Sequence, residues 1–277
     1  MPAAADVTRH YSRGNLLERL NQALRDDGVD PDHPSAEALA PYDQFHGRGL
    51  EATQEVAAML QIGPTDHLLD IGSGLGGPAR YFARRFGSRV SGIDLTPEFC
   101  EVARHLTRLL QLQDRVAFEV GDALAMPFAD GSFDAATSMN VSMNIEAKPR
   151  LYREIFRVLK PGATLVLSEI ALGEGGVIHY PMPWAASAGA SFLATAEQTR
   201  RGLADAGFDV LRLRSTLQEA LAFGARSRAL VERGEKPPHR AVMLVHGETA
   251  TAAMANSARA LASASVVPIE VLAKKRH

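Results

Sequence analysis

Three carboxylates follow short apolar runs at the ends of candidate strands. Asp70 precedes the loop Gly72-Ser73-Gly74-Leu75-Gly76-Gly77, Asp94 follows Val90-Ser91-Gly92-Ile93, and Asp122 follows a run that ends at Val120. Glycines between a strand and a helix allow a tight bend and let a ligand approach the backbone closely. A carboxylate at the position of Asp94 can accept hydrogen bonds from both hydroxyls of a ribose. Asp122 can accept from an exocyclic adenine amine, while the backbone N–H of Ala123 can donate to a ring nitrogen. Gly72, Gly74 and Gly77 also satisfy G-x-G-x-x-G, with an acid about 20 residues on, so an NAD(P)-dependent oxidoreductase is an alternative. Asp70 argues against it, because it would face a pyrophosphate with like charge, whereas an ammonium group would be attracted. Each residue also has a plain structural reading: a tight turn for the glycines, a turn residue for Asp122, and an N-cap for Asp94, a role for which Thr96 is better placed. Together the three acids describe a nucleoside site with an ammonium end and no demand for phosphate.

The elements that must position these residues alternate between strand and helix from about residue 66. Strands are expected at 67–71, 90–94, 116–120, 135–139, 164–170, 208–213 and 266–272. Amphipathic helices are expected after the glycine loop to about 86, and over 97–112, 148–159 and 195–206. Further helices are expected over 216–231 and 246–264, with 160–162 and 235–238 as turns. This rhythm predicts an α/β fold, a doubly wound, seven-stranded, mostly parallel sheet with a largely helical cap. In such sheets ligands bind beyond the carboxyl ends of the strands, which is where the three acids fall.

Composition narrows the function classes. The 277 residues are 46% hydrophobic and 22% charged, the balance of a folded globular chain. Thirty basic against 32 acidic residues give a net charge of -2, without the positive surplus that sequence-independent nucleic-acid binding needs. The lone Cys100 makes neither an intramolecular disulfide nor a structural zinc site, and no metal site is expected. No apolar run approaches the roughly 20 residues that span a bilayer, so a cytoplasmic protein without membrane contact is expected. Arg greatly outnumbers Lys and Ala is frequent, which suggests a GC-rich bacterial genome.

The stretches LLDIGSGLGGPARYFA, SGIDLT, VGDALAMPFADGSFDAATSMN and REIFRVLKPGATLVLSEI resemble the successive motifs of S-adenosylmethionine-dependent methyltransferases of the Rossmann-like class. The similarity is greatest to the small-molecule group that includes sarcosine/dimethylglycine, phosphoethanolamine and sugar methyltransferases. It is strong over about 66–171, and extends more weakly to the segments beginning at Tyr42 and Tyr180. The resemblance implies S-adenosyl-L-methionine as cofactor, with Gly72, Ser73 and Gly74 beside its methionine part and Asp70 near its amino group. Asp94 would bind ribose, Leu95 would pack on adenine, Asp122 and Ala123 would hold adenine, and Met139 and Asn140 would supply backbone contacts to the amino group.

A sulfonium methyl is already activated, so the protein must mainly align an acceptor, exclude water and secure a free lone pair; alignment alone supplies about 7–11 kcal/mol in well-oriented systems. A hydroxyl acceptor also needs a general base. Many relatives carry a histidine after the fourth strand, where this chain has Asn144, and an amide is no base; an amine acceptor is therefore favoured over a hydroxyl. The remaining candidates for a base are His46, Glu169 and His179. Tyr11 resembles the N-terminal tyrosine that closes over the methyl group in phosphoethanolamine-type enzymes, and Trp184 is a candidate lid anchor or cation–π partner. Residues 1–65 are expected to form an N-terminal helical cap segment and 66–277 the methyltransferase domain, with cap insertions at about 173–194 and 216–265. The expected partners are a small-molecule methyl acceptor and at most a second copy of the chain in a homodimer. A non-catalytic scaffold is a further alternative.

Overall fold

The computed structural model describes residues 8–12 and 14–276. Residues 8–11 are helical, and α1 (Leu16–Asp26), α2 (Ala36–Asp43) and α3 (Leu50–Met59) follow. Alternation then begins with β1 (His67–Ile71), α4 (Gly77–Phe86), β2 (Arg89–Asp94), α5 (Pro97–Leu109), β3 (Val116–Val120) and β4 (Phe133–Met139). It continues through α6 (Lys148–Val158), β5 (Leu159–Leu172), α7 (Ala196–Asp205) and β6 (Phe208–Ser215). Helices α8 (Leu217–Glu232), α9 (Ala241–His246) and α10 (Ala250–Ala262) precede the closing strand β7 (Val266–Lys275). The sheet order is β3-β2-β1-β4-β5-β7-β6, parallel except for β7, which runs antiparallel to both neighbours. Strand order reverses between β1 and β4, and the crevice there opens at the carboxyl ends.

Alternating side chains divide the sheet between two cores. Leu68 faces Val56, Phe82 and Ala103 of the helices on one side, while its neighbour Leu69 joins Leu151, Ile155 and Leu203 on the other. A third cluster lies off the sheet, where Leu20, Leu24 and Tyr42 meet Phe99 and Leu106 of α5 and Val245 of α9. The chain's first helices and its late helices thus close over the same end of the sheet. A fourth cluster packs Met182 and Trp184 against Met143 and Ala260.

Several local expectations differ from the structure. Residues 160–162, read as a turn, belong to a longer β5 that starts at Leu159. The helix expected over 246–264 is broken at Gly247 (φ +52°), which turns the chain between α9 and α10. Thr96 sits at the N-cap of α5 without a side-chain cap, and Asp94 does not cap the helix either: its Oδ1 accepts from the Thr96 N–H at 2.9 Å, a turn just before the helix starts. Among the described residues no helix is long and apolar enough to cross a membrane.

Arg80 of α4 joins these layers. Its Nη2 donates to Asp43 Oδ2 (2.8 Å) at the end of α2 and to the Leu75 carbonyl (2.7 Å) in the glycine loop; its Nη1 donates to the Ala103 carbonyl and Thr107 Oγ1 (both 3.2 Å) on α5. Both partners of the ion pair are buried. Removing one charge of such a pair strands the other, so Asp43→Ala is expected to cost about 3–5 kcal/mol in urea unfolding. Asp30→Ala, at an exposed carboxylate, is the control.

Candidate active site

A cavity of about 990 Å³ opens over the carboxyl ends of β1, β2, β3 and β4 and runs on beneath α8, α9 and α10. Of the residues singled out from sequence, Gly72, Gly74, Asp94, Leu95, Asp122, Ala123, Met139 and Asn140 all line it, as do Tyr11, His46, Asn144 and Trp184. Asp70, Ser73, Glu169 and His179 are not among the residues that line it.

The glycine loop is shaped by close packing. Gly72 has φ +67°, and a Cβ there would lie 2.2 Å from Val141 Cγ2; Gly77 leaves room for the Asp43 carbonyl, which would lie 2.4 Å from an added Cβ. The loop is closed from the side by Asp94, whose Oδ2 accepts from the Gly74 N–H at 2.9 Å. Burial raises the Asp94 carboxyl, and these backbone N–H groups oppose that rise. Each carboxylate oxygen has two acceptor sites, so both can still receive hydroxyls from the cavity. Asp122 turns its own loop by accepting from the Leu124 N–H at 2.8 Å. Asp70 lies below the floor, with Oδ1 accepting from Thr137 Oγ1 (3.1 Å) and Oδ2 buried without a partner; burial pushes it up to about 7. The Ser73 hydroxyl is likewise buried and unpartnered.

The loop after β4 is clamped from two sides. Glu169 is buried, accepting at Oε1 from Ser138 Oγ and at Oε2 from the N–H groups of Val141 and Ser142 and from Ser142 Oγ, all at 3.0 Å. Lys148 donates to the carbonyls of Ser142 (2.8 Å), Ile145 (2.9 Å) and Phe192. Asn140 holds φ +57°, with its amide turned to donate to the Ser168 carbonyl (3.3 Å) and accept from the Gly47 N–H (3.2 Å). Asn144 bridges two segments: its Oδ1 accepts from the Tyr11 hydroxyl (3.1 Å) and its Nδ2 donates to the Trp184 carbonyl (2.7 Å). Tyr11 packs against Phe45 and Phe99, and burial raises its hydroxyl well above the usual range. The Trp184 indole donates to Ser191 Oγ at 2.9 Å.

None of the three candidate bases stands ready for that role. His46 reaches the cavity wall, but Nε2 lies 3.0 Å from Thr53 Oγ1 and Nδ1 lies 3.2 Å from the Gly47 carbonyl, so both nitrogens face protein atoms; burial lowers it to about 3. Glu169 spends its oxygens on the β4 loop. His179 is exposed on the insertion, away from the cavity. Phe45, Phe99 and His239 share the cavity wall but were not singled out from sequence: Phe99 reads as an ordinary apolar residue of amphipathic α5, and Phe45 and His239 lie in segments without period.

Comparison with known proteins agrees with this architecture. A family model described as a methyltransferase domain matches residues 69–167, which run from β1 into β5 and carry the glycine loop, Asp94 and Asp122. Over those residues the chain carries a methyltransferase domain. The chain is similar to the methyltransferase GfsG of Streptomyces halstedii, 31% identical over 163 residues, 57% of this chain and 58% of GfsG. It is also similar to phosphoethanolamine N-methyltransferase 1 of Arabidopsis thaliana, 37% identical over 121 residues, 44% of this chain and 24% of that protein. The chain thus aligns with less than two thirds of the length of these relatives. Among solved structures, geranyl diphosphate C-methyltransferase from Streptomyces coelicolor A3(2) shares the fold at TM-score 0.72 and 21% identity, covering 99% of this chain and 98% of that one.

The carboxyl of Glu169 is pushed up to about 7 by burial, against 4.5 for a free glutamate, while the four donated hydrogen bonds oppose the rise. Between those values the folded protein holds more protons than the unfolded chain, so this group makes stability fall as pH rises from about 4.5 to about 7. Glu169→Gln, which keeps an acceptor for the loop, should reduce the slope of urea midpoints measured across this range, leaving the contribution of Asp70, which is raised to about 7 as well. Glu169→Ala should cost about 1–3 kcal/mol for each N–H group left unpaired.

Proposed function

We propose that the protein transfers the methyl group of S-adenosyl-L-methionine to a small, largely apolar acceptor. The observation that carries this reading is the convergence of Gly74, Asp94, Asp122 and the loop after β4 on one cavity within a methyltransferase domain. The residues fit such a cofactor. An added Cβ at Gly74 would meet nothing within 4 Å, so the backbone there is open to a ligand, and the buried oxygen of Asp70 without a partner suits a nearby ammonium. When bound, the cofactor supplies an activated methyl carbon. In this reading Asp94 accepts the ribose hydroxyls, Asp122 and the Ala123 N–H hold the adenine edge, and Leu95 packs on its face. Met139 and Asn140 present backbone atoms to the amino group, and Tyr11, fixed by Asn144, covers the reacting end and excludes water.

The acceptor class follows from the far end of the cavity, walled by Phe223, Val231, Val242, Met243, Met254 and Leu261. Val231, Met243 and Met254 are 56%, 50% and 42% exposed, so the mouth itself is apolar, as a site for an apolar molecule requires. The wall leaves a glycine-like or phosphorylated acceptor few polar partners. Relatives named as N-, O- and C-methyltransferases occur together, so likeness does not select the accepting atom. The preference for an amine rests on Asn144 alone. The fold also hosts other chemistry: a chain titled as the [4+2]-cyclase SpnF matches at TM-score 0.64 and 25% identity, over 94% of both chains.

Calorimetry with S-adenosylhomocysteine tests the cofactor site. The wild type should bind, and Asp94→Asn, which keeps an acceptor oxygen but loses the charge, should bind about 10–100-fold more weakly, as expected for hydrogen bonds to a charged group worth about 1.5–3 kcal/mol. Absence of binding, or equal binding by the variant, would overturn the assignment.

A further inference from the structure

His239 lies between α8 and α9, and its ring forms part of the cavity wall. Its Nε2 stands 2.9 Å from the main-chain carbonyl of Gln44. A carbonyl can only accept, so the ring proton of the neutral imidazole sits on Nε2 and Nδ1 carries the lone pair. Among the described residues, none hydrogen-bonds that Nδ1. The ring is held in place: its Cδ2 lies 3.1 Å from where a Cβ on Gly49 would be, and it meets the Phe223 ring edge-on at 6.5 Å. The Gln44 carbonyl belongs to the segment that Arg80 secures through Asp43 and that Asn140 secures through Gly47, so the imidazole is fixed relative to the loop after β4.

We propose that Nδ1 of His239 is the general base of the transfer, and that the acceptor is therefore a hydroxyl on a largely apolar molecule. This rests on the methyl-transfer reading above. The acceptor oxygen forms a bond to the methyl carbon as its proton passes to Nδ1. The carbon–sulfur bond breaks with its electron pair remaining on sulfur, and the imidazolium later returns the proton to solvent. A neutral amine would need no such group before attack, whereas a hydroxyl does. The role requires a neutral ring near pH 7, and the surroundings keep it so. Burial lowers its basicity from the ordinary histidine value. The groups facing this region are His46, held neutral; Arg48, paired twofold with Glu55; Arg226, paired with Glu51; and Arg240, paired with Asp27. Asp94, Asp122, Glu146, Arg228 and Glu232 are the further charged groups that line the cavity among the described residues.

Two measurements on the full chain test this. In long-range proton–nitrogen NMR with S-adenosylhomocysteine bound, the signals lost in His239→Gln identify the ring. A protonated Nε2 and bare Nδ1 are expected at pH 7, and a proton on Nδ1 would overturn the proposal. In the second, methyl-labelled S-adenosylmethionine is offered with 4-hexylphenol or 4-hexylaniline. Methylated phenol is expected, at a rate that is level around pH 7 and falls only at pH values below the ordinary histidine range, as the imidazole takes a proton. His239→Gln, whose amide can still donate to the Gln44 carbonyl, should be about 100-fold slower at pH 7 or worse, with unchanged S-adenosylhomocysteine affinity. That deficit should shrink as pH approaches the phenol's own pKa. Methylation of the aniline alone, of neither probe despite cofactor binding, or an unaltered rate and pH profile in the variant would overturn the base. Failure of the wild type to bind S-adenosylhomocysteine would instead remove the methyl-transfer reading itself.

Discussion

The guanidinium of Arg80 touches the glycine loop, the end of α2 and the inner face of α5 at once. Taking such a group and Asp43 out of water is costly, and an apolar pair of equal volume could match their net stability. What an apolar pair lacks is direction. Four hydrogen bonds from one planar group set the distance between Leu75 in the loop and Asp43 before the 44–49 segment. That segment then supplies Phe45, His46, Gly47 and Arg48 to the cavity wall, and its Gln44 carbonyl orients His239. The site therefore depends on a contact that is not itself part of it.

The loop after β4 shows the same division between residues that support and residues that face the cavity. Glu169 satisfies its N–H groups and Lys148 its carbonyls, so a short irregular stretch can be buried without losing its hydrogen bonds. Asn144 can then span from Tyr11 to Trp184, joining the N-terminal segment to the insertion after β5. A carboxylate in such a position suggests catalysis when read from residue type alone. The hydrogen bonds that Glu169 and Asn144 make to neighbouring groups show that they hold those groups in place.

The parallel half of the sheet was legible because its signals are local. An apolar run, a glycine turn and an amphipathic helix each announce themselves within a few residues, and the acids at strand ends follow from where such turns must fall. Of the helices over the site, α8 was legible to within a residue although it has no buried residue, its apolar side chains facing a wide cavity. The short α9 was not read as a helix, because its six residues are too few to show a period and are buried only by contact with α1 and α2. The helix expected from residue 246 begins at Ala250, after the chain turns at Gly247.

The α/β alternation, the placement of Asp70, Asp94 and Asp122 after strands, and the resemblance to methyltransferases all rest on spacing along the chain and are legible from it. Which titratable groups are available is set by tertiary contacts. His46, Glu169 and His239 are equally suggestive as residue types, but availability depends on the partner each finds far along the chain. Thr53 and Gly47 face both nitrogens of His46, the β4 loop occupies Glu169, and Gln44, 195 positions from His239, takes one nitrogen and leaves the other free. Hydrogen-bond capacity is spent in three dimensions, and no pattern of spacing records how it is spent.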